Sequence, residues 1–199
     1  MNEIKLILFD LGGVVVRWVG IQALSDLTGL SVQNVAEKFS SSDIANRFER
    51  GLCSHDDFIQ EFRQLFQLTG SDTELIALWN SWVQSPYEGI EDAIYELKKF
   101  YRVACLSNTN ELHWKHLSSY MDLDRLFDPG YASHHIHEAK PNMSCYQYVI
   151  ENLKLEPEQI LFLDDTQANV DAAKNAGIQA HKVDPQFGAL PLLGKLGLI

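Results

Sequence analysis

The chain lacks any apolar run long enough to cross a bilayer. Its early hydrophobic segment, Ile4-Lys5-Leu6-Ile7-Leu8-Phe9, is too short for a membrane span or a signal-peptide core, so a cytoplasmic location is expected. It is poor in cysteine. Cys53, Cys105 and Cys145 are odd in number, far apart and without C-x-x-C spacing, which excludes the usual zinc and redox motifs and leaves buried thiols as the expectation. Basic residues are scarce as well: 16 Lys and Arg face 27 Asp and Glu, for a net charge of -11. Binding to nucleic acid or an anionic membrane needs clustered cations and is not expected. An acidic protein that binds phosphate must therefore supply a metal or local donors. No Gly-, Ser- or Pro-rich tract and no internal repeat is present. With 46% hydrophobic and 22% charged residues over 199 positions, the chain can bury one core and carry a modest insertion.

What is present alternates. Ile4 to Phe9 reads as a buried strand halted by Asp10 and Gly12-Gly13. Val103 to Leu106 ends in Ser107-Asn108, Ile160 to Leu163 ends in Asp164-Asp165, and Gln179 to Val183 follows the helix end at Ala176-Gly177. Helical spacing joins Ile94, Leu97 and Tyr101, and again Tyr146, Val149, Ile150 and Leu153. This pattern predicts an α/β core of parallel strands covered by helices, whose strand ends gather at one edge. Residues 17–86 differ, with helical patterns and no convincing buried strand. Ser54 with Asp57 and Ser71 with Glu74 resemble capping boxes; Phe58, Phe62 and Leu65, then Leu75, Trp79, Trp82 and Val83, fall on helical faces as core residues. The expected organisation is a core of residues 1–16 and 87–199 with an all-helical insertion over 17–86.

Four polar clusters sit at the predicted strand ends and loops: Asp10 with Gly12-Gly13, Ser107-Asn108, Lys140-Pro141, and Asp164-Asp165. Each alone has an ordinary explanation as a cap, a turn or a solvated loop. Together they supply complementary parts of a phosphoryl-transfer site. Carboxylates from different strand ends can hold a hard cation through oxygen, one carboxylate can attack phosphorus, and a lysine with hydroxyl and amide donors can stabilise the shifting charge.

At these residues the chain resembles the haloacid dehalogenase superfamily, in its phosphatase branch. Phe9-Asp10-Leu11-Gly12-Gly13-Val14 matches the first motif and Leu106-Ser107-Asn108-Thr109-Asn110 the second. Lys140-Pro141 matches the third, and Phe162-Leu163-Asp164-Asp165 with Asn169 the fourth. The resemblance implies a Rossmann-like core with a small helical cap, and looks most like a bacterial subgroup that includes an alpha-glucose-1-phosphate phosphatase. It further implies Asp10 as nucleophile and Mg2+ held by Asp10, the Gly12 backbone carbonyl and Asp165. Asp164 would be either a further ligand or a support for the metal's waters. Ser107, Asn108 and Lys140 would bind the phosphoryl group of a small phosphorylated metabolite, with Lys140 also balancing the carboxylates.

One departure matters. Most phosphatases of this superfamily carry a second Asp two residues after the nucleophile, as acid and base; here that position is Gly12. Either another residue replaces it, with His134, His135 and His137 as titratable candidates, or the leaving group needs little protonation, as an anomeric phosphate would. Arg17 and Trp18 are candidates to face the substrate, and Arg47 with Arg50 reads as a solvated helix face. The rival readings are a carbon-halide hydrolase, which needs no metal, and a non-catalytic binder of a phosphate ligand.

Overall fold

The computed structural model describes residues 3–199; residues 1 and 2, part of the expected core segment, lie outside it. A five-stranded parallel sheet has the order β5-β4-β1-β6-β7. Its strands are β1 (Leu6–Phe9), β4 (Arg102–Ser107), β5 (Gly130–Ala132), β6 (Ile160–Asp164) and β7 (Gln179–Lys182). The other two strands, β2 (Val16–Trp18) and β3 (Val83–Pro86), form an antiparallel ribbon. Every residue of β1 is buried, which explains its continuous apolar run: Leu6 and Leu8 face one side of the sheet, Ile7 and Phe9 the other.

Helices close both faces. On the Ile7 side pack α6 (Ile90–Leu97), α7 (Glu111–Ser118), α8 (Leu123–Leu126) and α12 (Leu190–Lys195). On the Leu6 side pack α10 (Met143–Leu153) and α11 (Gln167–Asn175). A short α9 (Ser133–Ile136) follows β5. The outcome is the expected α/β fold. Among the described residues no helix is long and apolar enough to cross a membrane.

Between β2 and β3 lie α1 (Gly20–Thr28), α2 (Val32–Ser42), α3 (Ile44–Glu49), α4 (His55–Phe66) and α5 (Asp72–Asn80), which bury a core of their own. Aromatics dominate it. Phe48 stacks on Phe58 at 4.3 Å, and Trp79 lies 4.5 Å from both Phe58 and Trp82. Such pairs contribute about 0.5–1.5 kcal/mol each beyond their buried area. Ser71 and Glu74 form a reciprocal capping box, whereas Ser54 caps α4 by accepting from the Asp57 N–H without the reciprocal backbone bond.

Three local expectations are corrected. Trp82 and Val83 lie beyond α5, because Val19 N–H donates to the Trp82 carbonyl (3.0 Å) and β3 pairs with β2; both side chains remain buried, which mimicked a helical face. Tyr101 falls past the end of α6, just before β4. Of the thiols, Cys105 and Cys145 are buried but Cys53 is partly exposed.

The two layers are pinned by His113 of α7. Its ring stacks on Trp79 at 4.9 Å, and Nε2 lies 2.9 Å from the Trp79 carbonyl. Asn110 Nδ2 reaches Nδ1 at 3.2 Å, while Asn110 Oδ1 accepts from the His113 N–H and the Trp79 indole. Burial lowers the His113 pKa to about 4, so the folded state holds the ring neutral where the unfolded chain would already protonate it. This contribution is complete above the ordinary histidine value near 6.5 and is lost as pH falls towards 4, at roughly 1.4 kcal/mol per pH unit within that window. Chemical denaturation at pH 7.0 and 5.5 should therefore show a shallower pH dependence for His113→Gln than for the wild type.

Candidate active site

The strand register builds the floor. Phe9 pairs with Leu163 on one side and Cys105 on the other, so Asp10, Asp164 and Ser107 emerge together at the carboxyl edge of the central strands. The Asp10 N–H donates to the Leu163 carbonyl (2.9 Å), continuing the ladder one residue past the strand. Between the acids sits Lys140, its side chain fully buried, with Nζ 3.0 Å from Asp10 Oδ1 and 2.6 Å from Asp164 Oδ2. Asp165 completes the cluster: oxygens of Asp10, Asp164 and Asp165 lie within 4.8 Å of one another.

The electrostatics follow from burial. Removal from water opposes the Lys140 charge, but Asp10 and Asp164 outweigh it and hold the ammonium protonated, above the usual lysine range. Burial pushes the Asp10 carboxyl up to about 7 against the opposing pull of Lys140. Burial and then Asp164 raise Asp165 also. Three carboxylates around one ammonium leave an excess of two negative charges when all are ionised. A divalent cation would balance that excess, and an all-oxygen donor set suits magnesium; the residues fit such an ion.

The acids are not equivalent. Asp164 is fully buried and both its oxygens accept hydrogen bonds: Oδ2 from Lys140 and Asn169, Oδ1 from Asn169 and the Thr166 N–H. Asp10 Oδ1 accepts from the Leu11 N–H at 2.7 Å and faces Lys140, which leaves Oδ2 without a donor among the described residues. Asp165 accepts a long bond from the Thr166 hydroxyl, 3.3 Å. Asp10 and Asp165 thus present open carboxylate oxygens, whereas Asp164 orients Lys140.

The Asn108 side-chain amide donates to the Lys140 carbonyl (2.8 Å) and its Oδ1 accepts the Lys140 N–H (2.9 Å), so the side chain clamps the lysine backbone while Asn108 lines the cavity. Ser107 lines the cavity beside it.

Gly12 and Gly13 contrast. Gly13 has φ 71°, and a Cβ there would collide with the Asp165 carboxylate. A Cβ on Gly12 would meet nothing closer than Trp18 Cβ at 3.5 Å, an ordinary contact. The fold therefore requires glycine at 13 and not at 12.

Over this floor lies a cavity of about 610 Å³, in the size range of small-molecule sites. Arg17 and Trp18 line it as expected, the Arg17 guanidinium lying 4.7 Å over the Tyr87 ring. His134, His135 and His137 do not. His134 and His135 pack against each other and Trp114, and His137 Nδ1 meets the Arg50 carbonyl at 2.8 Å. Arg47 pairs with Glu61 and Arg50 donates to the His137 carbonyl, so this pair binds protein rather than standing free in solvent. Three titratable cavity residues escaped the sequence reading, Glu49, His113 and Tyr87. None carries a local signature; of the three only Glu49 comes from the helical layer, His113 lying on α7 and Tyr87 in the core beside the sheet.

Replacing Lys140 with Met should leave Asp10 and Asp164 facing each other uncompensated. We expect about 3–5 kcal/mol of lost stability, read by urea denaturation in chelator. Gly13→Ala should destabilise by more than about 1 kcal/mol through strain at positive φ, while Gly12→Ala stays within about 0.5 kcal/mol of wild type in the same assay.

Known proteins resemble the chain in sequence and fold. A profile described as haloacid dehalogenase-like hydrolase matches residues 4–177. A D-ribitol-5-phosphate phosphatase from Bacteroides thetaiotaomicron is 28% identical over 199 residues, covering 94% of each chain. A HAD-family enzyme from the same organism, solved in complex with magnesium and inorganic phosphate, superposes with a TM-score of 0.77 at 29% identity, covering 90% of this chain and 93% of the other. An L-2-haloacid dehalogenase from Xanthobacter autotrophicus shares the fold, with a TM-score of 0.65 at 20% identity over 90% of this chain and 77% of that one. The chain belongs to the haloacid dehalogenase-like hydrolase family.

Proposed function

We propose that the chain is a magnesium-dependent phosphatase acting on a small phosphomonoester of sugar or polyol size, with Asp10 as the nucleophile. The observation that carries this reading is the oxygen cluster of Asp10, Asp164 and Asp165 around a buried Lys140, under a cavity of about 610 Å³. Magnesium would be held by Asp10, the Gly12 carbonyl and Asp165, with Asp164 as support, and when bound it neutralises phosphate charge.

The chain's own residues do the rest. Oδ2 of Asp10 attacks phosphorus while Leu11 and Lys140 hold Oδ1, and the resulting aspartyl-phosphate is hydrolysed by water, dividing one difficult displacement into two. Lys140 keeps its proton and faces the phosphoryl oxygens; the Ser107 hydroxyl donates to them. Asn108 acts through the Lys140 backbone. The helical layer over residues 17–86 acts as a cap that excludes water from the cavity.

The relative named for D-ribitol 5-phosphate supports a phosphorylated carbohydrate or polyol as substrate. A sugar 1-phosphate is the finer choice that Gly12 suggests, since an anomeric oxygen leaves with the least protonation. A dehalogenase is disfavoured because Asp164 and Asp165, unneutralised, would raise the Asp10 pKa and weaken its attack on carbon.

Phosphate release should be assayed on a panel of sugar 1-, 5- and 6-phosphates, with magnesium or chelator. Release should depend on magnesium and fall at least roughly a thousandfold in Asp10→Asn. Halide release from a 2-haloacid without metal would replace this reading with the dehalogenase, and neither activity would replace it with a binder.

A further inference from the structure

Expelling an alkoxide from phosphorus requires a proton donor, and the floor of the site has none to spare: Asp10 is the nucleophile, Lys140 is locked between two carboxylates, and Asp165 faces the metal position. The remaining titratable groups on the cavity are Arg17, Tyr87, His113 and Glu49. Arg17 is a permanent cation. The Tyr87 hydroxyl donates to the Pro185 carbonyl at 2.5 Å, and both ring nitrogens of His113 are engaged by Trp79 and Asn110. Glu49 is different: it is partly buried, it lines the cavity, and its carboxylate has no hydrogen-bond partner among the described residues.

Its position is built. Glu49 ends α3, and the Ser133 hydroxyl, which accepts from the Thr109 N–H at 2.8 Å, lies within donating reach of the Glu49 and Thr109 carbonyls. The next turn is seated against α9, where a Cβ on Gly51 would strike the His134 carbonyl. Glu49 is thus tied to the loop that follows Ser107. In-line displacement puts the leaving oxygen opposite Asp10, on the side of the helical layer from which Glu49 comes.

Resting on the phosphatase reading, we propose that Glu49 is the general acid and base of this site. As the Asp10–phosphorus bond forms and the phosphorus–alkoxide bond breaks, the Glu49 carboxyl gives its proton to the departing oxygen. The Glu49 carboxylate then takes a proton from the water that attacks phosphorus. That attack breaks the bond to Asp10, frees phosphate and restores both side chains. Burial supports the role by raising the carboxyl to about 7, opposed only by Lys140. The cations on its own helix are turned away: Arg47 to Glu61, and Arg50 to the His137 carbonyl. Asp10 and Asp165 line the same cavity from the floor.

The test uses Glu49→Gln, which keeps the shape of the side chain. On a sugar 6-phosphate or pentitol 5-phosphate, kcat should fall about 10²–10³-fold. With 4-nitrophenyl phosphate, whose leaving group needs no proton, one equivalent of nitrophenolate should appear in a burst before slow turnover. Gly12→Asp in the Glu49→Gln background should restore turnover, since position 12 has room for a side chain. Independently of any variant, wild-type kcat on the terminal phosphate should fall above pH of about 7, while single-turnover nitrophenolate release does not fall. A rise in KM alone, an equal loss on all substrates without a burst, or a flat wild-type profile would overturn the proposal. A wild type with no magnesium-dependent phosphate release would instead overturn the phosphatase reading beneath it.

Discussion

The ammonium of Lys140, buried between Asp10 and Asp164, is the constraint on which the site depends. Burying like charges together is unfavourable by several kcal/mol per ion, and this lysine makes the arrangement tolerable. Much of the surrounding geometry serves to keep it there. Asn108 clamps its backbone from the end of β4, Asn169 of α11 and the Thr166 N–H occupy the far side of Asp164, and the register of β1 against β6 sets the spacing between the acids. One cation nonetheless leaves the cluster short of neutral. That residual charge is why an acidic protein, repelled from phosphate at long range, can still bind it when a divalent ion is present.

Short polar links help tie the helical layer to this edge. His113 joins α7 to Trp79 of α5, and Ser133 joins α9 and the Thr109 loop to the end of α3. Both links are anchored in the segment after β4, so the loop that bears Ser107 and Asn108 also sets where the layer sits. Glu49 thus comes to the cavity from a layer with an aromatic core of its own, while the acids and Lys140 come from the sheet edge.

The fold was legible where burial is continuous. Strands β1, β4 and β6 are central and covered on both faces, so they appear as unbroken apolar runs ending in polar residues. The edge strand β5, three residues long, and the exposed ribbon of β2 and β3 leave no such trace, and the burial of Trp82 and Val83 imitated a helix that had already ended. Asn108 shows the same limit within the site. Its place beside Ser107 was visible, but whether its amide faces a ligand or the backbone of Lys140, 32 residues away, is decided by a loop conformation that spacing does not encode.

The amino-acid sequence by itself determined the parallel core and the set of acids, lysine and serine that can meet at its edge, because strand periodicity and tight loops are local properties of the chain. It also determined the absence at Gly12, which is a matter of residue identity. Only the tertiary structure decided what answers that absence. Glu49 lies 39 positions from Asp10 in a helix with no distinguishing pattern, and it reaches the cavity because two layers pack against each other. A partly buried carboxyl acquires its chemistry from what surrounds it, and those surroundings exist only in the folded molecule.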